Sequence, residues 1–355
     1  MPNHPINRRR FAAAATAVTG SFVSSGFSNR NRSLADETTP HPNQNQRDDV
    51  REDHRGHWVL LGAAGRLVLC DPKGSVRWEM PWGSIHDLHL TDDGHILTRR
   101  GKYDVVWIDP ATKSVIRSFD VRQYVDGKVE LHAFEPIDDG RVMVALSGPA
   151  ELVELNVDGS VHHRIAMTVD RPSLHSDTRL VRRGPDGDYW VAHENDGCVR
   201  RYDRDGDVVW TYRVPMFDRP AAPGHGPAAF GNQLFAAVPD VDGVWADGVS
   251  ADGVWIGTGN GHGVLHVTRS GQIDWQLTQD ELSPIRLAWV TNVHLTDHDT
   301  VMVGNCHAGP GQPVLIEIQR DSKRVVWQLE GHDRFGNNVS NTLPISQQQT
   351  APFGV

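Results

Sequence analysis

The 355-residue sequence predicts an all-β protein, a six-bladed β-propeller of four-stranded blades that a C-terminal strand closes by completing the first blade. Three observations predict this fold. Short β-prone runs recur in groups of four, turn residues such as Asp-Gly separate the runs, and the first group lacks one run. An isolated run near the C-terminus can supply it. A closed ring has no exposed strand edges, which would otherwise pair with other chains.

The second group shows the repeat most plainly, with strands A to D in IHDLHLT, HILTRR, DVVWIDP and SVIRSFDV. The third, fourth and sixth groups follow the same order. The fifth is looser, and its strand A is expected in GVWADGVS, residues 243–250. The first group has only HWVLLGA, RLVLCDP and SVRWEMP, so Asn337–Ile345 is expected to complete it. The propeller is therefore predicted over residues 56–345, followed by a C-terminal tail at 346–355.

The first 35 residues are expected to lie outside the fold. Asn7-Arg8-Arg9-Arg10-Phe11 precedes a short, weakly apolar run, which is typical of an export signal. The Arg8-Arg9-x-Phe11 pattern resembles a twin-arginine signal, which implies a periplasmic or secreted protein. The sequence allows cleavage after Ser25 or after Ala35. A disordered basic tail is the alternative. Residues 36–55 are polar without periodicity and predict a disordered linker.

Composition narrows the classes of partner. The net charge is −10, and the five arginines of the first 35 residues make the remainder more acidic still, so a nucleic-acid binder is disfavoured. The apolar run is too short for a membrane span. The three cysteines, Cys70, Cys198 and Cys306, form no disulfide framework and are expected to be buried. We expect a monomer.

Four of the runs that join strands C and D end in tryptophan, as in CDPKGSVRW and YDRDGDVVW. Trp78, Trp210, Trp275 and Trp327 are expected to pack between neighbouring blades. This pattern resembles the repeat of pyrroloquinoline-quinone-type, or quinoprotein-like, propellers across residues 56–345. The resemblance implies the propeller fold and raises pyrroloquinoline quinone as a cofactor. A histidine-bound divalent metal is the other cofactor considered, and the sequence carries a full motif for neither.

Histidine is abundant, with 19 residues, and two of them share a spacing. His86 and His132 each stand eight residues before the glycine of an Asp-Asp-Gly turn. If those turns join strands A and B, both histidines begin strand A, which lines the central channel. His175 begins the fourth group similarly, although its later turn implies a longer strand or a bulge. His86, His132 and His175 are the candidate catalytic residues, because imidazole can act as base, nucleophile or metal ligand near neutral pH.

Loops that join strands B and C are expected at the same end of the channel, together with the first residues of the later A strands. They provide the candidate ligand-binding residues, which are His193, Asp247, Asn260, His262, Asn292, His307 and Asn338. Each of these histidines and amides has a simpler interpretation as a hydrogen-bonding tie between blades. His162 and His163 in strand D of the third group are expected at the surface.

The sequence is compatible with three functions. The first is an exported propeller that binds a small polar or anionic ligand at a histidine-rich channel mouth. The second is a transferase, because bacterial arylsulfotransferases, which this chain distantly resembles, are exported six-bladed propellers with channel-mouth histidines and an arginine. That resemblance implies one of the three candidate histidines as nucleophile. The third is a scaffold for an extracytoplasmic protein or glycan, since fold alone does not determine function.

Overall fold

The protein is described by a computed structural model that covers residues 56–240, 253–296 and 299–355. The predicted export signal and linker, residues 1–55, lie outside the described residues. Twenty-four strands form six antiparallel sheets of four, which confirms the six-bladed β-propeller. Among the described residues no helix has the length and apolar character needed to cross a membrane.

Each blade runs in order from its inner strand A to its outer strand D. Blade 1 contains β24, β1, β2 and β3, and the strands of the other blades follow in chain order. The first three blades contain β1 Trp58–Ala63, β2 Arg66–Cys70, β3 Val76–Pro81, β4 Leu88–Leu90, β5 Ile96–Arg100, β6 Asp104–Asp109, β7 Ser114–Asp120, β8 Glu130–Pro136, β9 Val142–Ser147, β10 Glu151–Leu155 and β11 Val161–Ala166.

The second half of the ring repeats the arrangement. Its strands are β12 Val181–Arg183, β13 Tyr189–His193, β14 Cys198–Tyr202, β15 Val208–Arg213, β16 Ala236–Pro239, β17 Gly253–Gly257, β18 Val264–Thr268, β19 Ile273–Leu277, β20 Trp289–Leu295, β21 Thr300–Cys306, β22 Leu315–Gln319, β23 Val325–Leu329 and β24 Thr342–Ile345. A single helical turn, α1 His332–Phe335, precedes the last strand. Strands B and C are almost wholly buried, whereas strands D alternate exposed and buried residues, as expected for the outer edge of a blade.

The last strand closes the ring as predicted. β24 pairs antiparallel with β1, with Leu60 opposite Leu343. The strand is shorter than the predicted segment, because residues 337–341 form a connecting loop before it. The tail is ordered beyond it: a 3-10 helix, Gln348–Phe353, places Phe353 edge-on to Trp78 at 5.1 Å between ring centroids. A side chain at Gly94 would meet Pro352, so the tail also covers the Asp-Asp-Gly turn of blade 2.

The inner strand of blade 5 lies earlier than predicted. It is β16, Ala236–Pro239, which pairs with β17, and the predicted segment 243–250 lies outside the described residues. The Ala-Ala-Val-Pro run is short and lacks alternation of polar and apolar residues, so it gives little strand signal. Phe235, directly before β16, thus stands beside the channel in this blade, where its carbonyl accepts a hydrogen bond from Leu180 N.

The strand D tryptophans seal the junctions between blades, as the repeat predicted. Each indole N–H donates to the carbonyl of the first or second residue after strand C in the next blade. The pairs are Trp78 with Pro110, Trp210 with Arg269, Trp275 with Arg320 and Trp327 with Pro72, at 2.8–3.2 Å. In blade 3 the same place is taken by His163, whose Nε2 lies 2.7 Å from the Arg204 carbonyl. His163, which was expected at the surface, is therefore half-buried in this junction and ties blades 3 and 4 together.

The three cysteines are buried and unpaired, as predicted. Burial raises the pKa of Cys70 and Cys198 to about 11 and that of Cys306 to about 12. A thiol with such a pKa is almost fully protonated at neutral pH, and the thiolate is the reactive form. These residues are therefore packing groups rather than nucleophiles.

Candidate functional site

Three histidines from blades 2, 3 and 4 meet at one end of the channel, and we call this place the channel mouth. The ring centroids of His86 and His132 are 4.7 Å apart, those of His132 and His175 are 5.0 Å apart, and those of His86 and His175 are 5.9 Å apart. Residues 46 and 43 positions apart in the chain thus form one cluster, because each stands at or before the inner strand of its blade.

Each histidine is positioned by a different local structure. His86 precedes β4, and Asn341 Nδ2 donates to its carbonyl at 3.2 Å. His132 lies within β8 at a register shift, where Leu131 pairs with Leu146 and Ala133 pairs with Ala145. A bulge of this kind re-aims a side chain, and the His132 side chain is 0% exposed.

His175 does not begin a strand. It lies in a turn six residues before β12, so it belongs neither to the longer strand nor to the bulge that the sequence allowed. Its side chain is 60% exposed. The turn is held by Asp177, whose carboxylate accepts from the backbone N–H groups of Ser173 and Gly148. His175 is therefore the most accessible of the three imidazoles.

Arg179 joins the cluster from the same segment. Its Nη1 lies 2.9 Å from His132 Nδ1 and also donates to the His175 carbonyl. Glu194 forms an ion pair with Arg179 Nε, and both side chains are about 95% buried. Phe235 closes this side of the mouth, with Arg179 Cζ 5.6 Å from its ring centroid.

The hydrogen-bond pattern fixes the proton on His132. A guanidinium can only donate, so His132 Nδ1 accepts from Arg179 and the ring carries its proton on Nε2. His86 Nδ1 lies 2.9 Å from the same His132 Nδ1. His132 Nε2 is buried and has no hydrogen-bond partner, and the nearest carboxylate oxygen, Glu130 Oε1, is 3.7 Å away.

All three imidazoles are neutral at pH 7. Burial, followed by the charges of Arg99 and Arg179, holds the pKa of His86 well below its usual range. Burial and Arg179 do the same for His132. Burial and Arg179 also lower the pKa of His175, although Glu130 opposes them. Removing a charged group from water and placing cations beside it both disfavour protonation.

Three further charged groups complete the mouth. Glu130 is buried, and its Oε1 lies 3.2 Å from His175 Nδ1. Lys102 Nζ is 3.5 Å from Glu130 Oε2. Arg99 Nη1 donates to the Leu131 carbonyl at 2.7 Å, and burial lowers the pKa of Arg99 to about 10. The mouth holds Arg99, Arg179 and Lys102 against Glu130 and Glu194, so it carries a net positive charge within an acidic protein.

A second patch of rings lies beside these residues. His225 contacts Trp289 edge-on at 4.3 Å and stacks on His307 at 5.4 Å between centroids. Arg179 contributes to lowering the pKa of His225, after burial, which indicates that the patch adjoins the histidine cluster. His307 was a predicted ligand-binding residue, whereas Trp289 was not.

The other predicted ligand-binding residues are spread more widely. His193 is buried with both ring nitrogens engaged, by the Asp177 carbonyl and the Tyr202 hydroxyl. Asn260 bonds Gln233 through its amide, and Asn292 accepts from Thr342 N. His262 is buried with an unpartnered Nε2, Asn338 is exposed, and Asp247 lies outside the described residues.

Sequence reasoning missed Arg179, Arg99, Lys102 and Glu130. Glu130 could have been found, because it stands two residues before His132 and strand residues two apart share a face. Arg99 was visible as the first of two arginines that end the strand ILTRR. Arg179 gave no such signal, because its contact with His132 depends on how blades 3 and 4 are oriented.

Fold and site together define a six-bladed β-propeller with a histidine- and arginine-lined channel mouth. A profile of the family described as outer membrane protein assembly factor BamB, a family of pyrroloquinoline-quinone-type repeats, matches residues 63–329. The chain belongs to this family, which confirms the resemblance found in the sequence.

Solved structures show the same fold. A protein of unknown function from Bacteroides caccae matches with a TM-score of 0.65 and 18% identity, covering 82% of this chain and 100% of its own. A streptogramin B lyase matches with a TM-score of 0.51 and 12% identity, covering 75% and 77%. An inactive virginiamycin B lyase from Staphylococcus aureus bound to quinupristin has a TM-score of 0.48, 12% identity and coverage of 77% and 83%. A search of curated proteins finds no significant match.

The described residues do not fit pyrroloquinoline quinone. A flat tricyclic quinone needs an open aromatic face on which to lie. At the channel mouth Trp289 is buried and His225 stands against it. The space between blades 2, 3 and 4 is occupied by the three imidazoles and Arg179. The channel mouth therefore does not support a quinone-dependent reaction.

Proposed function

We propose that this protein is an exported propeller that binds a small polar or anionic ligand at the channel mouth. One observation carries the proposal: three neutral imidazoles form a cluster, one of them in contact with Arg179, in a mouth where the charges of Arg99, Arg179 and Lys102 face Glu130 and Glu194. Neutral imidazoles and guanidinium groups supply N–H donors without adding negative charge. Such charge-assisted donors are the usual means of holding oxyanions and carboxylates.

The arrangement suits a small ligand that approaches past His175. That side chain and Lys102 are 60% and 62% exposed, whereas His132 and Arg179 are buried beneath them. A ligand with one anionic group would reach the deeper donors while the rest of it stays near the rim. The positive charge at the mouth would attract anions even though the whole chain has a net charge of −10.

Calorimetric titration of the protein as purified with sulfate, phosphate and acetate tests the proposal. We expect one saturable site, weakened at least tenfold in both Lys102→Met and His175→Ala, since a hydrogen bond to a charged group contributes about 1.5–3 kcal/mol. Lys113→Met is the matched control, because Lys113 lies in the turn after β6, beside Trp78 rather than in the mouth. Absence of anion binding, or equal weakening by the control, would contradict the proposal.

A transferase is the second candidate, favoured by the contact of Arg179 with His132 and with the His175 carbonyl. As in the arylsulfotransferases that the sequence resembles, an imidazole nitrogen would attack the sulfur of an aryl sulfate. The S–O ester bond would break with its electrons leaving on the phenolate, and a phenol acceptor would then take the sulfuryl group. His175 is the accessible nucleophile. Release of nitrophenol from nitrophenyl sulfate, abolished in His175→Gln, would support this candidate.

Location and partners follow from the same proposal. We propose a periplasmic or secreted monomer, supported by the twin-arginine-like segment at Arg8-Arg9 and by the family's description as an outer membrane assembly factor. A protein or glycan partner is the alternative to a small ligand. Fractionation of the expressed full chain, with and without Arg8→Lys and Arg9→Lys, tests the location.

A further inference from the structure

We propose that Glu130, His132 and His175 bind a divalent transition-metal ion between blades 3 and 4, and that this ion holds the anion. The inference rests on the proposed function and names how the same site works. One donor atom from each of the three side chains lies within 4.8 Å of the others. Nothing in the sequence motif marks this set, because its members come from two blades.

The distances suit a metal ion. Glu130 Oε1 lies 3.2 Å from His175 Nδ1 and 3.7 Å from His132 Nε2. Zinc bonds of about 2.0–2.2 Å at tetrahedral angles separate neighbouring donors by roughly 3.3–3.5 Å. Two edges of the triangle are therefore close to the required length. The third closes by movement of His175, which lies in an exposed turn and not in a strand.

His132 is the second, independent observation. Its Nε2 is fully buried, faces the Glu130 carboxylate and has no hydrogen-bond partner. A buried polar atom without a partner is costly, at about 1–3 kcal/mol, and a metal ion would satisfy it. The atom is also rigidly placed, because the bulge in β8 and the packing of Leu131 and Ala133 fix its direction.

Metal binding requires a different tautomer of His132. Nε2 must lose its proton to bind the metal, and the proton then sits on Nδ1. From there it is donated to His86 Nδ1, which is 2.9 Å away. Metal-binding histidines usually donate their second N–H in this way. Arg179 gives up its contact with His132 but retains its bond to the His175 carbonyl and its ion pair with Glu194.

The donor set indicates the kind of metal. Two imidazoles and one carboxylate suit Zn²⁺, Fe²⁺, Co²⁺ or Mn²⁺, whereas Ca²⁺ and Mg²⁺ prefer oxygen ligands. Three protein ligands leave at least one coordination position open. Lys102, which lies beside Glu130 and is exposed, can move off the Glu130 carboxylate as the metal takes its place and stay within reach of the bound anion. An anionic oxygen could then bind the metal on one side and Arg179 on the other.

Titration of the full chain, purified without a histidine tag and dialysed free of metal, provides the test. We expect one Zn²⁺ per chain by calorimetry, and a Co²⁺ complex whose visible absorption is that of a four- or five-coordinate ion. Glu130→Gln and His175→Ala should each weaken Zn²⁺ binding at least tenfold. His307→Ala is the matched control, because it removes an imidazole from the mouth but not from the triad, and it should leave Zn²⁺ affinity unchanged.

Sulfate titrations distinguish this inference from the proposed function. Sulfate should bind the Zn²⁺-loaded protein at least tenfold more tightly than the metal-free protein. Equal sulfate binding with and without Zn²⁺, or no stoichiometric Zn²⁺ binding, overturns the metal inference and leaves the anion site standing. Stoichiometric Zn²⁺ without any sulfate binding in either state overturns the proposed function instead. Circular dichroism of each variant verifies that it is folded.

Discussion

Asp87 connects three blades inside the channel, directly after His86. Its carboxylate is 0% exposed and accepts from both terminal nitrogens of Arg182, at 2.9 and 2.8 Å, and from Phe134 N at 3.2 Å. His89 lies 3.3 Å away. Burial raises the pKa of Asp87, but Arg182 and His89 outweigh it and hold the pKa far below its usual range. Asp87 is therefore a charged anchor beneath the channel mouth.

Replacing Asp87 with asparagine should destabilise the protein by about 3–5 kcal/mol, because Arg182 would remain buried without its main partner. The free energy of unfolding from urea titration measures the effect. Asp138→Asn is the matched control: it also removes a carboxylate from an arginine, Arg183, but at an exposed site, where the loss should be below about 1 kcal/mol. Similar losses in both variants would contradict the assignment.

The sequence predicted part of the site and missed the rest for physical reasons. His86 and His132 share a spacing because strand A has a fixed rise and ends in the same turn, so their proximity follows from the repeat. The repeat predicts a strand at His175 by analogy with His86 and His132, whereas the Asp177 hydrogen bonds impose a turn. The contacts of Arg179 depend on packing between blades, which no single repeat encodes.

At the scale of the element, one hydrogen bond recurs around the ring. Five junctions use a side-chain nitrogen from strand D and a carbonyl from the next blade, four with tryptophan and one with His163. The junction of blades 2 and 3 uses Tyr124 instead, whose hydroxyl donates to the Gly159 carbonyl at 2.8 Å. The repeat therefore conserves an interaction even where the residue type changes.

Trp210→Phe should lower the free energy of unfolding by about 1 kcal/mol or somewhat more, because the Arg269 carbonyl loses its donor while most of the ring contact stays. Urea unfolding measures the loss. Tyr212→Phe serves as control: Tyr212 stacks on Trp210 but contributes no described hydrogen bond through its hydroxyl, so stability should change by less than about 0.5 kcal/mol. If the free energy of unfolding of Trp210→Phe equals that of the parent chain, the hydrogen bond contributes nothing to stability.

The blades themselves were largely predictable, since four apolar runs with turn residues between them specify a four-stranded sheet. Blade 5 is the exception. Its inner strand has small residues and a proline and gives no alternating pattern, so the next more strand-like segment was selected in its place. Sequence periodicity identifies strands whose two faces differ, and β16 is buried almost throughout.

At the scale of the whole molecule, buried histidines make stability depend on pH. Burial lowers the pKa of His193, His262 and His294 to about 4, whereas an unfolded histidine has a pKa near 6.5. Between these values the unfolded state binds more protons, so the free energy of unfolding rises as pH increases from about 4 to 6.5. His266 acts oppositely, because Asp240 and Asp274 outweigh burial and raise its pKa.

The expected slope is at most about 1.4 kcal/mol per pH unit for each of the three histidines. Urea unfolding at intervals between pH 4.5 and 7 measures it. His294→Gln keeps a donor near the Thr342 carbonyl. In this variant the slope of the unfolding free energy with pH should decrease by about the contribution of one of the three histidines. A flat profile in the parent chain would contradict the prediction.

The pairing of Leu60 with Leu343 spans 283 residues, so the ring can close only after the last strand has been synthesised. During synthesis β1 emerges early. The backbone groups that pair with β24 stay unpaired until nearly the entire polypeptide has left the ribosome. So distant a pairing is slow to form. The last residues are therefore a structural latch, unlike the dispensable ends of many domains, and nonsense mutations that remove only them should behave like loss of the whole protein.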